Sequence, residues 1–254
     1  MSEVRSFTLL ILSMTDVKRH RTSDIGHRTS DMTGFIELRP DVISPNPGGI
    51  DDPLGESILD VTQPWLRVFE PQDVRVVIGR HQDPARELLI ENAQADQRPI
   101  HRRVSGGGAV VLAPGMVVVA IRLTNSELGT TCYLDRVNTA LRPAVESLCG
   151  VAPGCRGHGD LVMVGADGIE RKVLGASLRQ TSKLVFYLGV FLVADAVTVM
   201  ERYLAPPSRQ PDYRSGRGHS AFCTHLSHFG VSTASLRQAI MNHGEKILGA
   251  HAAR

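Results

Sequence analysis

The sequence predicts an α+β (mixed α/β) fold with largely antiparallel pairing, on three observations. Short β-rich runs come in groups, with helical stretches between the groups. One run, residues 116–123, is apolar without interruption, as in a strand buried on both faces. Further on, Leu134, Val137, Leu141, Val145 and Leu148 recur at helical spacing.

The elements follow in order. An apolar run at 7–14 is too short to span a bilayer and lacks a signal-peptide cleavage site, so it reads as a buried strand. His20–Asp24 (HRTSD) recurs as His27–Asp31, a local duplication and not a repeat fold. The Pro/Gly-rich stretch 40–53 reads as connection. Residues 65–70 and 74–78 are short β-rich runs split by a Pro-containing turn. Pro84 opens a helix to about Asp96, in the first turn where Pro is tolerated. Residues 102–112 form a strand interrupted by three glycines. The helix of Leu134 covers 133–149. Residues 161–164 and 171–182 make a hairpin around Ala166-Asp167-Gly168. Residues 184–194 form another strand, Asp195 caps a helix to about Leu204, and Ser232 or Thr233 caps a last helix.

Size and charge narrow the function. The chain has 254 residues, 42% hydrophobic and 21% charged, enough for one large domain or two small ones with a sizeable core. A net charge of +2 gives no global pull toward nucleic acid or a membrane. Cys132, Cys149, Cys155 and Cys223 contain no C-x-x-C pair, which argues against a zinc ribbon or a thioredoxin-like motif. They are expected to be reduced thiols in a cytoplasmic protein.

Four segments carry candidate chemistry. In residues 101–110 (HRRVSGGGAV), three glycines expose backbone N–H groups that suit phosphate or carboxylate oxygens, with two arginines beside them. The pattern matches neither the P-loop nor the dinucleotide-binding glycine motif. In Arg171–Ser177 (RKVLGAS), Lys172 enters a strand next to small residues and suits a carboxylate or an α-phosphate. A lysine in water is the commoner fate. Residues 153–161 (PGCRGHGDL) offer Cys155, with Arg156 beside it favouring thiolate, and Asp160 as candidate magnesium ligand or turn cap. Residues 210–219 (QPDYRSGRGH) are basic and turn-rich, a phosphate- or partner-contacting loop or a polar linker.

Together these segments resemble the lipoate–protein ligase family, whose class II synthetase-like catalytic fold is shared with biotin ligases. The likeness runs from about Trp65 to His219. VVIGRHQ (76–82) resembles the family's "VIGRNQN", RRVSGGGAV (102–110) its "RRxSGGGAV", GHGDL (157–161) its "GRNDL" and RKVLGAS (171–177) its "RKVSGSA". The glycine-rich repeat of biotin ligases is absent. Residues 1–55 read as an irregular N-terminal extension, and the resemblance implies a catalytic domain at 56–254. It implies that ATP, with magnesium, activates lipoate or octanoate as an acyl-adenylate. The acyl group then passes to a lysine of a lipoyl-carrier domain, on a 2-oxoacid dehydrogenase or the glycine-cleavage carrier protein. By the same likeness Arg103, Ser105, Gly106, Gly107, Gly108, Ala109, Val110 and Val111 hold nucleotide and lipoate. Asp160 belongs to the same set, and Lys172 contacts both acyl carbonyl and phosphate.

The chain departs from the family pattern in places. Val111, Leu112 and Ala113 stand where the family has an aromatic and "HD", Leu188-Gly189 stands for "HG", and Gly159 replaces an Asn. Related octanoyl- and lipoyl-transferases need no ATP and take the acyl group from a carrier protein onto a cysteine. In one such group the cysteine stands five residues before the Asp, as Cys155 stands before Asp160. In that alternative Cys155 is the nucleophile. A third reading is a catalytically dead binder of lipoyl domains.

Overall fold

The computed structural model describes residues 43–45, 52–126 and 129–248. The strand read at 7–14, the duplicated HRTSD and most of the stretch 1–55 lie outside the described residues. The described strands are β1 (Ile43–Pro45), β2 (Leu66–Phe69), β3 (Arg75–Ile78), β4 (Ile100–Arg102), β5 (Val110–Leu112), β6 (Met116–Thr124), β7 (Gly154–Arg156), β8 (Asp160–Val164), β9 (Glu170–Gln180) and β10 (Leu184–Leu192). The α-helices are α1 (Pro84–Glu87), α2 (Ile90–Ala95), α3 (Thr130–Cys149), α4 (Val197–Tyr203), α5 (His219–Phe222) and α6 (Thr233–Leu248).

The α+β expectation holds. The larger sheet runs β2-β6-β10-β9-β8-β7 and is antiparallel throughout. The smaller one runs β1-β4-β3-β5, with β1 and β3 parallel to β4 and β5 antiparallel to β3. β1 lies inside the stretch read as connection.

Strand alternation builds two cores. Val117, Val119 and Ile121 of β6 and Val185, Tyr187 and Phe191 of β10 pack toward α3 and α6. Val118 and Ala120 of β6 and Phe186, Leu188 and Val190 of β10 pack the other way, against Val76, Ile78 and Val111 of the small sheet. The continuous apolar run of β6 is therefore buried on both faces, as predicted. α3 begins three residues before the predicted start. It ends at Gly150, whose left-handed conformation (φ 75°) lets its N–H reach the Glu146 carbonyl at 2.8 Å.

Tertiary contacts override local pattern in one place. The helix predicted over 84–96 is two short helices, because Leu88 bridges Leu204 and the Leu89 N–H donates to the Tyr203 carbonyl at 2.8 Å. The N-cap position of α4 is Ala196, one residue beyond the predicted Asp195, whose carboxylate still accepts the Val197 N–H at 3.1 Å. Ser232 does the same for the Ser235 N–H at the start of α6. No described helix is long and apolar enough to cross a membrane.

Candidate active site

A β-bulge places Lys172. Leu161 opposes Leu174, but the next residue, Val162, opposes Lys172, so Val173 is the extra residue. In regular alternation Lys172 would face α3. The bulge turns it to the other face, beside Asp160. There its Nζ lies 2.7 Å from Asp160 Oδ1, and the Tyr213 hydroxyl donates to Oδ2 at 2.7 Å. Burial and the neighbouring Asp160 carboxylate push the Tyr213 pKa well above the ordinary phenol value, so the hydroxyl stays a donor. Gly175, opposite Asp160, makes room: a Cβ there would sit 2.6 Å from Lys172 Nζ.

The glycine segment forms the second wall. It is a loop between β4 and β5, so the single strand read over 102–112 is two strands and a connection. Arg103 is buried beneath it, donating through Nε to the Gly106 carbonyl (3.0 Å) and through Nη2 to Gly106 (2.6 Å) and Gly108 (2.7 Å). Burial pulls the Arg103 pKa down to about 10 while Glu56 opposes the fall, so the guanidinium remains charged at neutral pH. Glu56 also accepts the Val104 N–H at 2.8 Å. The loop closes tightly on β3: a Cβ on Gly79 would come within 2.1 Å of the Gly107 carbonyl. Ser105 and Ser177 hydroxyls meet at 2.8 Å, tying the loop to β9. Gly107 and Gly108 are exposed. Arg102 instead donates to the Gly79, Arg80 and Gln82 carbonyls, a structural clamp.

The third wall comes largely from the segment read as either a contacting loop or a linker, in which the sequence assigns no single residue a role. The turn-rich segment 210–219 folds over the cavity instead of running as a linker. Arg214 is buried, stacked over Phe222 at 4.7 Å and donating to the Arg217 carbonyl at 2.9 Å. Arg217 lies over the same ring at 5.2 Å. His219 and Cys223 complete this wall. The only sequence signal was an aromatic and two arginines among turn residues. Nothing in the sequence marked Cys223, whose thiol burial holds above its ordinary pKa.

These walls enclose a cavity of about 150 Å³. Its polar lining is Arg103, Lys172, Ser177, Arg214 and His219; its apolar lining includes Leu188, Val190, Leu192, Met200, Leu204 and Phe222. Of the residues singled out from sequence, Arg103, Gly108, Ala109, Val110 and Lys172 line it. Val111 faces the core with Leu112 and Ala113, and Leu188 forms part of the apolar wall. Cys155 is exposed on the edge strand β7, opposite Leu161, whose side chain belongs to the α3-side core. Directly paired residues share a face, so Cys155 lies on the opposite face from Lys172 and Asp160. Both Asp160 carboxylate oxygens are engaged by Lys172 and Tyr213.

Comparison with known proteins agrees with this architecture. Similar folds are an archaeal bipartite lipoate protein ligase from Thermoplasma acidophilum, studied with its E2 lipoyl domain (TM-score 0.64, 18% identity, 76% of each chain covered), and a lipoate-protein ligase A bound with ATP (TM-score 0.61, 18% identity, 76% of this chain and 78% of that one). The P. falciparum protein LipL1 in complex with lipoate gives a TM-score of 0.57 at 18% identity, over 73% of this chain and 50% of that one. The fold is thus that of class II synthetase-like lipoate ligases. The model of the lipoyl protein ligase A/B catalytic domain matches residues 50–245, and the chain belongs to that family.

Proposed function

We propose that this protein attaches lipoate or octanoate to a lysine of a lipoyl-carrier domain through an ATP-dependent acyl-adenylate. One observation carries the reading: the bulge-placed Lys172 and the glycine loop over Arg103 line one cavity with an apolar wall. A fatty chain needs the apolar wall, and its carboxyl end needs cations and N–H donors. The proposed partners are lipoyl domains of 2-oxoacid dehydrogenases or the glycine-cleavage carrier.

In the first step a carboxylate oxygen attacks the α-phosphorus of ATP and pyrophosphate leaves. In the second, the neutral acceptor amine attacks the acyl carbonyl, AMP leaves and a proton is released. Negative charge grows first on the α-phosphate and then on the carbonyl oxygen. Lys172, held by Asp160, is the fixed cation for both. Asp160 acts by orienting Lys172, and Tyr213 orients Asp160. Magnesium would neutralise the ATP phosphates, which with water supply most of its ligands. The placement of Cys155 across the sheet from Lys172 favours this mechanism over the thioester one.

The test is the intact mass of a lipoyl domain after incubation with the protein. One reaction holds octanoate or lipoate with Mg·ATP; the other holds octanoyl-carrier protein without ATP. Acylation in the first alone supports the ligase. Acylation in the second alone replaces it with the acyltransferase. No mass change in either removes catalysis and leaves a binder of lipoyl domains.

A further inference from the structure

Two residues that line this cavity each keep a buried donor without a hydrogen-bond partner among the described residues: Arg103 at Nη1 and His219 at Nε2. A folded protein rarely leaves such groups unpaired unless something else supplies the acceptor. Arg103 belongs to the glycine-loop motif already considered. His219 comes from the third wall, and nothing in the family motifs points to it.

The His219 tautomer follows from its neighbour. Arg214 Nη2 lies 3.5 Å from His219 Nδ1. A guanidinium can only donate, so Nδ1 must offer its lone pair and the proton sits on Nε2. The charged groups facing the ring are Arg214, Lys172 and Glu201. Burial and Arg214, with a smaller effect of Lys172, hold its pKa below the ordinary histidine value; the Ala205 carbonyl and then Glu201 oppose them. The ring is therefore neutral near pH 7. The Ala205 carbonyl lies near it but outside hydrogen-bonding geometry. Arg214 is itself held by the Arg217 carbonyl and the Phe222 face, and Glu201 accepts the Ser220 N–H at 3.1 Å. His219 is thus fixed before any ligand arrives, and that lowers the ordering cost of binding.

We infer that His219 is a substrate-binding residue, its Nε2–H donating to an oxygen of the acyl substrate's carboxyl group. Arg214 is a positioning residue that sets the tautomer. The inference rests on the proposed acyl-binding function and adds a neutral donor from the C-terminal segment to the Lys172 and Arg103 charges.

Calorimetric titration of the full chain with octanoate, together with thermal midpoints, tests it. Wild type, His219→Phe and His219→Gln are compared. His219→Phe fills similar space without a donor and is expected to weaken octanoate about tenfold or more. Its midpoint should stay close to wild type, because the unpaired Nε2–H is removed while Arg214 Nη2 loses its Nδ1 acceptor. His219→Gln restores an N–H donor and should stay within about threefold of wild type. Octanamide keeps the carbonyl acceptor without the charge, and should lose affinity by a similar factor in His219→Phe. Undiminished octanoate binding by His219→Phe would overturn the inference. So would a fall in both midpoint and affinity in His219→Phe and His219→Gln alike, the mark of a purely structural histidine. A loss for octanoate alone would move the effect from a hydrogen bond to charge, and also overturn it. If wild type bound neither octanoate nor lipoate, the acyl-binding function would fail first and this inference with it.

Discussion

The two faces of the six-stranded sheet share strands and differ in almost everything else. Toward α3 and α6, its buried polar groups are paired: the Tyr187 hydroxyl donates to Asn138 at 2.8 Å. Toward the small sheet, the same strands present Lys172, held by Asp160, and Ser177 to a cavity lined by Arg103 and His219, each of which keeps an unpaired donor. Successive residues divide the work: Tyr187 goes to the core and Leu188 to the cavity, Leu161 to the core and Asp160 to Lys172. Side-chain alternation lets one sheet supply stability on one side and chemistry on the other. Substitutions on the two faces should therefore fail in different ways.

The largest effect should come from the cavity face. Lys172→Ala should lower acylation of a lipoyl domain by about 100- to 1,000-fold or more, the cost typical of losing one preorganised charge partner. Circular dichroism should still show a folded protein. Full activity would remove Lys172 from the mechanism. On the core face, Leu141→Ala should do the reverse. Leu141 is buried in the α3-side core, and its truncation should cost about 2–5 kcal/mol of stability. The thermal midpoint would fall by roughly 4–20 °C. Activity well below the new midpoint should stay near wild type; a matching loss of activity would mean the faces are not separable.

A smaller effect tests how tightly the cavity is built. Gly175→Ala adds a methyl 2.6 Å from Lys172 Nζ and 2.7 Å from its Cε, so the flexible end of the lysine must move. Displacement by about 1 Å costs up to roughly 100-fold in rate, so a loss of about 10- to 100-fold is expected with little change in midpoint. Unchanged activity would show that the Lys172–Asp160 geometry in this structure is not the working one.

The two faces also differed in how readable they were. The core face followed from periodicity: the α3 positions and the apolar strands β6 and β10 carry their burial in their spacing. Part of the cavity was readable too, because glycine runs and a strand-borne lysine are local signals. What stayed hidden depended on contacts distant in sequence. The bulge at Val173, which turns Lys172 to the cavity, has no signature in RKVLGAS. The short strand β7 hid in Gly-Cys-Arg, residues that pack little. Tyr213, Arg214 and His219 sit in a segment that reads equally as a phosphate- or partner-contacting loop and as a linker because turn residues surround them, and only the fold brings Asp160 to meet Tyr213. The break between α1 and α2 comes from pairing with residues more than a hundred positions away.

The smallest expected effect separates the two mechanisms. Cys155 has the sequence spacing of a transferase nucleophile, yet it sits on β7 on the face away from Lys172. Sequence spacing and sheet face therefore disagree about one thiol. A thioester nucleophile must reach the acyl carbonyl, which in the proposed reaction sits beside Lys172 on the other face of the sheet. Cys155→Ala should accordingly leave ATP-dependent acylation within about twofold of wild type and stability within roughly 0.5 kcal/mol, as for an exposed residue. If Cys155 were the nucleophile, the same change would cost several orders of magnitude. It would also erase a mass adduct trapped on the protein by octanoyl-carrier protein. That loss would require β7 to rearrange before reaction, and the sheet face, not the spacing, would have been the misleading signal.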